Sequence, residues 1–177
     1  MGPRFATRDC RFVIVVHATK KLLDRIGGPC APPGGTSTTT LGAWYATVLF
    51  WKPQVALFVN ETTLLPVLVP FAPSASLFDR LPTAIATVLS AHDLDPRFVE
   101  QERAEMAVHR LEKTANRSVV GMLNEFAFLG AAYLDAGRDP DLVALALRLA
   151  KTPCGPLYRT NGSPDAELAA FMAARLS

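Results

Sequence analysis

Lys113, Asn116, Arg117, Ser118 and Asn124 are the residues of this chain whose types and spacing could do chemistry. They punctuate the stretch Lys113-Thr114-Ala115-Asn116-Arg117-Ser118-Val119-Val120-Gly121-Met122-Leu123-Asn124-Glu125-Phe126. The chemistry is recognition of an anion. A helix N-terminus offers free backbone N–H groups and the positive end of the dipole, and a guanidinium forks onto a phosphate or carboxylate. Thr114, Asn116 or Ser118 supplies the cap. Arg117, Gly121 and Asn124 fall at i, i+4 and i+7, on one helical face, so Asn124 would read the ligand's polar edge. The structural alternative uses the same residues differently. Asn116 or Ser118 caps, Gly121 admits a close strand, and a buried Asn124 ties down a loop backbone.

Other candidates are thinner. Lys20 could join the anion site from the Thr19-Lys20-Lys21 turn, although no GxxxxGK[ST] makes this a P-loop, and a solvated helix start explains both lysines. His17, His92 and His109 have no metal-ligand spacing, so no metal or cofactor is expected. His17 reads as a hydrogen-bonded core group. His109 or Glu112 would be the general base if the site were catalytic. No nucleophile elbow is present. Asn60-Glu61-Thr62-Thr63 reads as a turn closed by side-chain bonds to its own backbone. Trp44, Tyr45, Phe50 and Trp51 could stack bases, but no basic strip runs beside them. Core packing and a partner interface are the stronger readings.

These residues must be positioned by one domain. The chain has 177 residues, half of them hydrophobic and 19% charged, enough for a sizeable core. A formal charge of +2 excludes whole-surface attraction to nucleic acid or membrane. Cys10, Cys30 and Cys154 form neither a disulfide framework nor a CxxC site. No run approaches a membrane span, and the apolar run 12–16 is too short for a signal-peptide core, so a cytoplasmic location is expected.

Residues 1–11 read as a lead-in to a single domain over 12–177. Residues 11–18 predict a strand buried on both faces, and Thr19 starts a helix over Lys20–Ile26 that Gly27 ends. A Pro/Gly/Ser/Thr segment at 29–40 predicts a flexible surface loop. Residues 44–51, 54–60 and 64–71 predict a three-stranded meander, its last strand at an edge because Pro66 removes a ladder donor. Helical spacing follows from Leu77, with Pro82 tolerable only near the first turn, and Asp95-Pro96 opens a second helix. Residues 105–112 read either as a later strand or as a continued helix, and the strand is preferred because it delivers the chain directly to the helix at Asn116. The central helix over 119–134 is apolar nearly all round, which predicts burial, with Gly137 closing it. Asp139-Pro140-Asp141 and Ser163-Pro164-Asp165 each start a further helix. The expected class is α+β, a mostly antiparallel sheet covered by helices.

The chain resembles a bacterial family of small domains of unknown function from about residue 12 to its end. Three segments carry the likeness: Thr19-Lys20-Lys21-Leu22-Leu23, Leu41-Gly42-Ala43-Trp44-Tyr45-Ala46, and the stretch from Lys113 to Phe128, in which KT-x-NRS-V is followed by G-x-x-N. The loop at 29–40 is expanded relative to that pattern. The resemblance implies one small domain from bacterial or phage-like settings and no activity. Three functions are therefore expected, in order. The first is a non-enzymatic binding or interaction domain that takes a small anionic ligand or an acidic protein partner. The second is an enzyme acting on a phosphate-containing or nucleotide substrate. The third is an accessory protein of a toxin–antitoxin or phage-defence system.

Overall fold

A computed structural model describes residues 12–134 and 138–177. The expected lead-in, residues 1–11, and Gly137 as the central helix's closing residue lie outside the described residues. Among the described residues five strands form one sheet: β1 (Val13–Ala18), β2 (Trp44–Leu49), β3 (Val55–Asn60), β4 (Pro66–Pro70) and β5 (Val108–Lys113), in spatial order β4-β3-β2-β1-β5. Six α-helices of the described residues accompany it: α1 (Lys20–Ile26), α2 (Leu77–Ala91), α3 (Pro96–Ala104), α4 (Arg117–Tyr133), α5 (Leu142–Ala150) and α6 (Pro164–Leu176).

The fold is α+β, and its sheet is mixed. β2, β3 and β4 are the antiparallel meander, and Pro66 lies on its edge strand. Asn60 closes the β3–β4 turn, its Oδ1 accepting the N–H groups of Thr62 and Thr63. β1 is parallel to both neighbours. The reason is connection length: β1 reaches β2 through α1 and a long loop, and β4 reaches β5 through two helices, which only a crossover accommodates. Pro82 sits past the first turn of α2, deeper than expected, and leaves the Phe78 carbonyl without its usual donor.

Side chains alternate across the sheet, and registered residues of neighbouring strands share a face. His17, Tyr45, Arg110 and Glu112 therefore lie on one face, and Ile14, Val16, Phe58 and His109 on the other. Phe78 of α2 stacks on His109 and meets Phe58 edge-on, so α2 covers the second face. The head of α4 meets Tyr45, so it covers the first.

The Pro/Gly/Ser/Thr segment lies across that first face and is tied at both ends. The N–H of Ala31 donates to the Leu111 carbonyl on the outer edge of β5 at 2.7 Å. Further on, Thr38 and Ser37 serve the edge of β1. Oγ1 of Thr38 accepts from the Val13 N–H and Oγ of Ser37 from the Val15 N–H, each at 2.8 Å. These amides need partners because β2 pairs with β1 only from Val16 onward.

Glu102 on α3 fixes the segment's end. Its buried carboxylate accepts the N–H groups of Thr40 and Leu41, both at 2.9 Å. Burial pushes this carboxyl above its ordinary range, with the two backbone bonds opposing. Glu102→Ala would strand both donors. A loss of about 2 kcal/mol is expected, lowering the thermal midpoint by roughly 4–8 °C; an unchanged melting curve by circular dichroism would refute the assignment.

Candidate functional site

The β1–α1 and β5–α4 turns stand side by side, because β1 and β5 run parallel with Ala18 opposite Lys113. His17, one residue before the end of β1, is fixed by three neighbours. Its Nδ1 lies 3.1 Å from the Lys113 carbonyl, which can only accept, so Nδ1 carries the proton. Its ring stacks on Tyr45 with centroids 4.6 Å apart. The Glu112 carboxylate lies 3.8 Å from Nδ1. Tyr45 is buried in the core, and its hydroxyl oxygen accepts the Asn116 N–H at 3.0 Å. Burial pushes the Tyr45 phenol up, with that N–H opposing.

Glu112 is 2% exposed. Its Oε1 accepts from Arg110 Nε at 2.9 Å and from the Gly35 N–H at 2.7 Å. Arg110 in turn donates to the Pro32 carbonyl at 2.7 Å. Burial alone would raise the Glu112 carboxyl. The bonds from Arg110 and Gly35, with His17 beside it, more than reverse this and hold it below the ordinary carboxylate range. This group is a knot between strand and loop, engaged on its own partners.

At the head of α4, Asn116 is the cap among the three candidates. Its Oδ1 accepts from the Ser118 N–H at 3.0 Å and the Val119 N–H at 3.4 Å. Two of the helix's free donors are thereby satisfied internally, which leaves side-chain charge as the means of holding an anion. Lys113, Asn116, Arg117 and Ser118 are all exposed, and the side chains of Lys113 and Arg117 make no ion pair among the described residues. Lys20 is also exposed, and pairs with Asp24 one turn on at 2.6 Å.

The central helix is not buried all round. Val119, Met122, Leu123 and Phe126 face the core, while Arg117, Gly121, Asn124 and Phe128 lie on an exposed face, Phe128 at 76% exposure. Apolar composition concealed a surface helix, since Ala, Gly and Phe on the outer face read like core residues. Of the structural alternative, the Asn116 cap holds, while the parts assigned to Gly121 and Asn124 fail. An added Cβ on Gly121 would meet nothing within 4 Å, and Asn124 is exposed. The buried asparagine that ties down a loop is Asn60, whose Nδ2 donates to the Leu41 carbonyl at 2.9 Å.

His109 is on the opposite face, stacked 4.5 Å from Phe78, where burial pushes its imidazole down and Asp79 partly offsets that. It cannot serve as base for a group held at Arg117. It lines a separate cavity of about 340 Å³ with Asp79, Thr83 and Arg103. Of the aromatic residues, Trp44 and Tyr45 are core and Trp51 packs on Gly130, while Phe50 is exposed. Among the described residues no three His, Cys, Asp or Glu side chains group as a metal site, and no helix is long and apolar enough to cross a membrane.

Glu112 and Glu102 are the polar residues that sequence reasoning missed as anchors. Glu112 carried a signal, because it falls on the inward parity of a strand. Glu102 carried none, being one acid among several on a polar helix. A family model described as Domain of unknown function (DUF6933) matches residues 15–167. No curated protein and no solved structure matches the chain.

Proposed function

The chain belongs to the DUF6933 family of domains of unknown function, and within it we propose a binding domain whose anion-accepting surface is the head of α4. The observation that carries this is the placement of Arg117. It stands in the first turn of α4, just beyond the carboxyl ends of two parallel strands, with no ion-pair partner among the described residues. Ligands of sheets with parallel strands collect outside those ends. Lys113 adds a second cation without an ion pair among the described residues, and the Asn116 cap ties the turn to Tyr45 through its N–H. The ligand class is a phosphate, sulfate or carboxylate group. The enzyme reading is weaker, because His109 lies on the other face and Glu112 is engaged by Arg110 and Gly35.

The test is a thermal-shift screen against inorganic phosphate, sulfate, sugar phosphates and nucleotides, since a ligand of the native state raises the midpoint by mass action. Arg117→Ala should abolish any such rise and leave the midpoint without ligand within about 1 °C, as expected for an exposed side chain. A midpoint that collapses while affinity persists would make Arg117 structural.

A second reading has its own observation. Phe128 continues the exposed face of Arg117, Gly121 and Asn124, giving a contact strip for an acidic protein partner, as an accessory role in a toxin–antitoxin or phage-defence system would need. A silent screen with a partner captured by wild type and lost in Phe128→Ser would favour it.

A further inference from the structure

We infer that the outer edge of β5 is a docking strip for an extended peptide of another protein, one that carries a basic side chain between two apolar ones. This strip is independent of the α4 surface. β5 closes one side of the sheet. The Val108 N–H donates to the Phe12 carbonyl, toward β1, so the alternate residues His109 and Leu111 present their N–H and C=O groups outward. The Leu111 carbonyl is taken by Ala31. The His109 N–H, the His109 C=O and the Leu111 N–H have no backbone partner among the described residues. Unpaired groups of this kind are what an added strand bonds.

A cavity flanks this edge on each face of the sheet, in step with the side-chain alternation of an added strand. In antiparallel pairing, the peptide residue opposite His109 exchanges both hydrogen bonds with it and shares its face. Its side chain enters the cavity of about 340 Å³ that His109 lines with Asp79, Thr83 and Arg103. That cavity favours a cation. Arg103 is spent on Glu100, whereas Asp79 has no ion pair among the described residues. The two neighbouring peptide residues point to the first face, into a cavity of about 380 Å³ whose lining is mostly apolar, with Val13, Pro29, Ala31 and Val108. Val108 is 45% exposed there. A second copy of this chain is the weaker occupant. The Ala31 bond ends the open run after about two residues, roughly 7 Å of strand. That length seats one extended segment but not the roughly 1,200 Å² of a stable dimer.

The test titrates the acetylated, amidated peptide Thr-Val-Lys-Val-Thr into the full chain by ¹H–¹⁵N NMR. The His109 and Leu111 amides should shift most, and should exchange more slowly with solvent as the site fills. Replacing the peptide's lysine by glutamate should weaken binding roughly tenfold, the size of one charge-assisted bond. Asp79→Asn, at an exposed position, should weaken the lysine peptide by a similar factor. Methylating the lysine's backbone nitrogen removes the donor to the His109 carbonyl and should abolish binding. Undiminished binding by Asp79→Asn, or equal binding of the glutamate or N-methyl peptide, overturns the inference. So does a spectrum unmoved at about 10 mM peptide. The free chain needs no variant: its His109 and Leu111 amides should exchange fast. Slow exchange at every concentration would mean that the chain covers its own edge. Slow exchange that grows with concentration would mean that a second copy does, and either result removes the peptide.

Discussion

Glu112→Ala should lower the stability of this protein by about 3 kcal/mol, the low end for breaking a buried ion pair because Arg110 keeps partial access to water. The substitution removes the acceptor of the Gly35 N–H and of Arg110 Nε, and takes the charge from behind His17. For a chain of this size the thermal midpoint should fall by roughly 6–12 °C. The pH dependence has a definite sign. A carboxyl whose folded value lies below its unfolded one stabilises above the unfolded value, and that contribution disappears as pH falls through the folded value. The wild type should therefore weaken as pH drops below the unperturbed 4.5, and the variant should lack that part of the slope. Urea unfolding at pH 7 and in the acid limb measures both. Parallel curves, or a loss below about 1 kcal/mol, would mean that the pair contributes no more than a surface bridge.

The elements that were legible are those whose local chemistry is self-sufficient. Val13 to Val16 can only be a buried strand, Asp95-Pro96 caps α3 as written, with Asp95 accepting the Arg97 N–H, and Pro66 declares an edge. β5 was legible because a strand there hands the chain directly to Asn116. What was not legible depends on partners distant in sequence. Glu112 answers to Gly35 across 77 positions and Glu102 to Leu41 across 61, and no periodicity encodes either. The loop at 29–40 has the composition of a flexible linker, yet its hydroxyls and amides bond to the open edges of β1 and β5.

The candidate site was legible in part for the same reason. The cap, the cations and their helical face are local properties of residues 113–124, and the structure places them where the spacing says. That this face is exposed is not local. It depends on which side of α4 meets β2 and β3, and Gly121, Phe128, Ala131 and Ala132 dilute the polar signal of Arg117, Asn124 and Glu125 on the outer face. His17 reads as a hydrogen-bonded core group from its strand, and it is close to one: its Nδ1 meets the Lys113 carbonyl, its ring stacks on Tyr45, and its side chain is 14% exposed. Its position at the end of β1, opposite Glu112, is set by pairing with β5.

Gly35→Ala carries the second large effect, and it tests whether the loop and the ion pair are one unit. Gly35 needs no left-handed backbone; its constraint is space. A methyl there would lie 2.5 Å from Glu112 Oε1 and 2.6 Å from Arg110 Cδ, with Arg110 Nε closer still. The Glu112 carboxylate is buried and held from two sides, so the loop must lift, stretching the Gly35 N–H bond and pulling Pro32 from Arg110. A loss of about 3 kcal/mol follows from overpacking plus a strained bond to a charged acceptor. In the Glu112→Ala background the same methyl meets an Arg110 free to swing toward water. Removing glycine's freedom from the unfolded chain then stabilises by roughly 0.5 kcal/mol. The double-mutant cycle should therefore show coupling of at least about 2 kcal/mol, with Gly35→Ala near neutral once Glu112 is gone. Additive losses would separate the loop from the pair. They would also remove the physical basis for treating the segment over β1 and β5 as the rigid cover that keeps Glu112 charged behind His17.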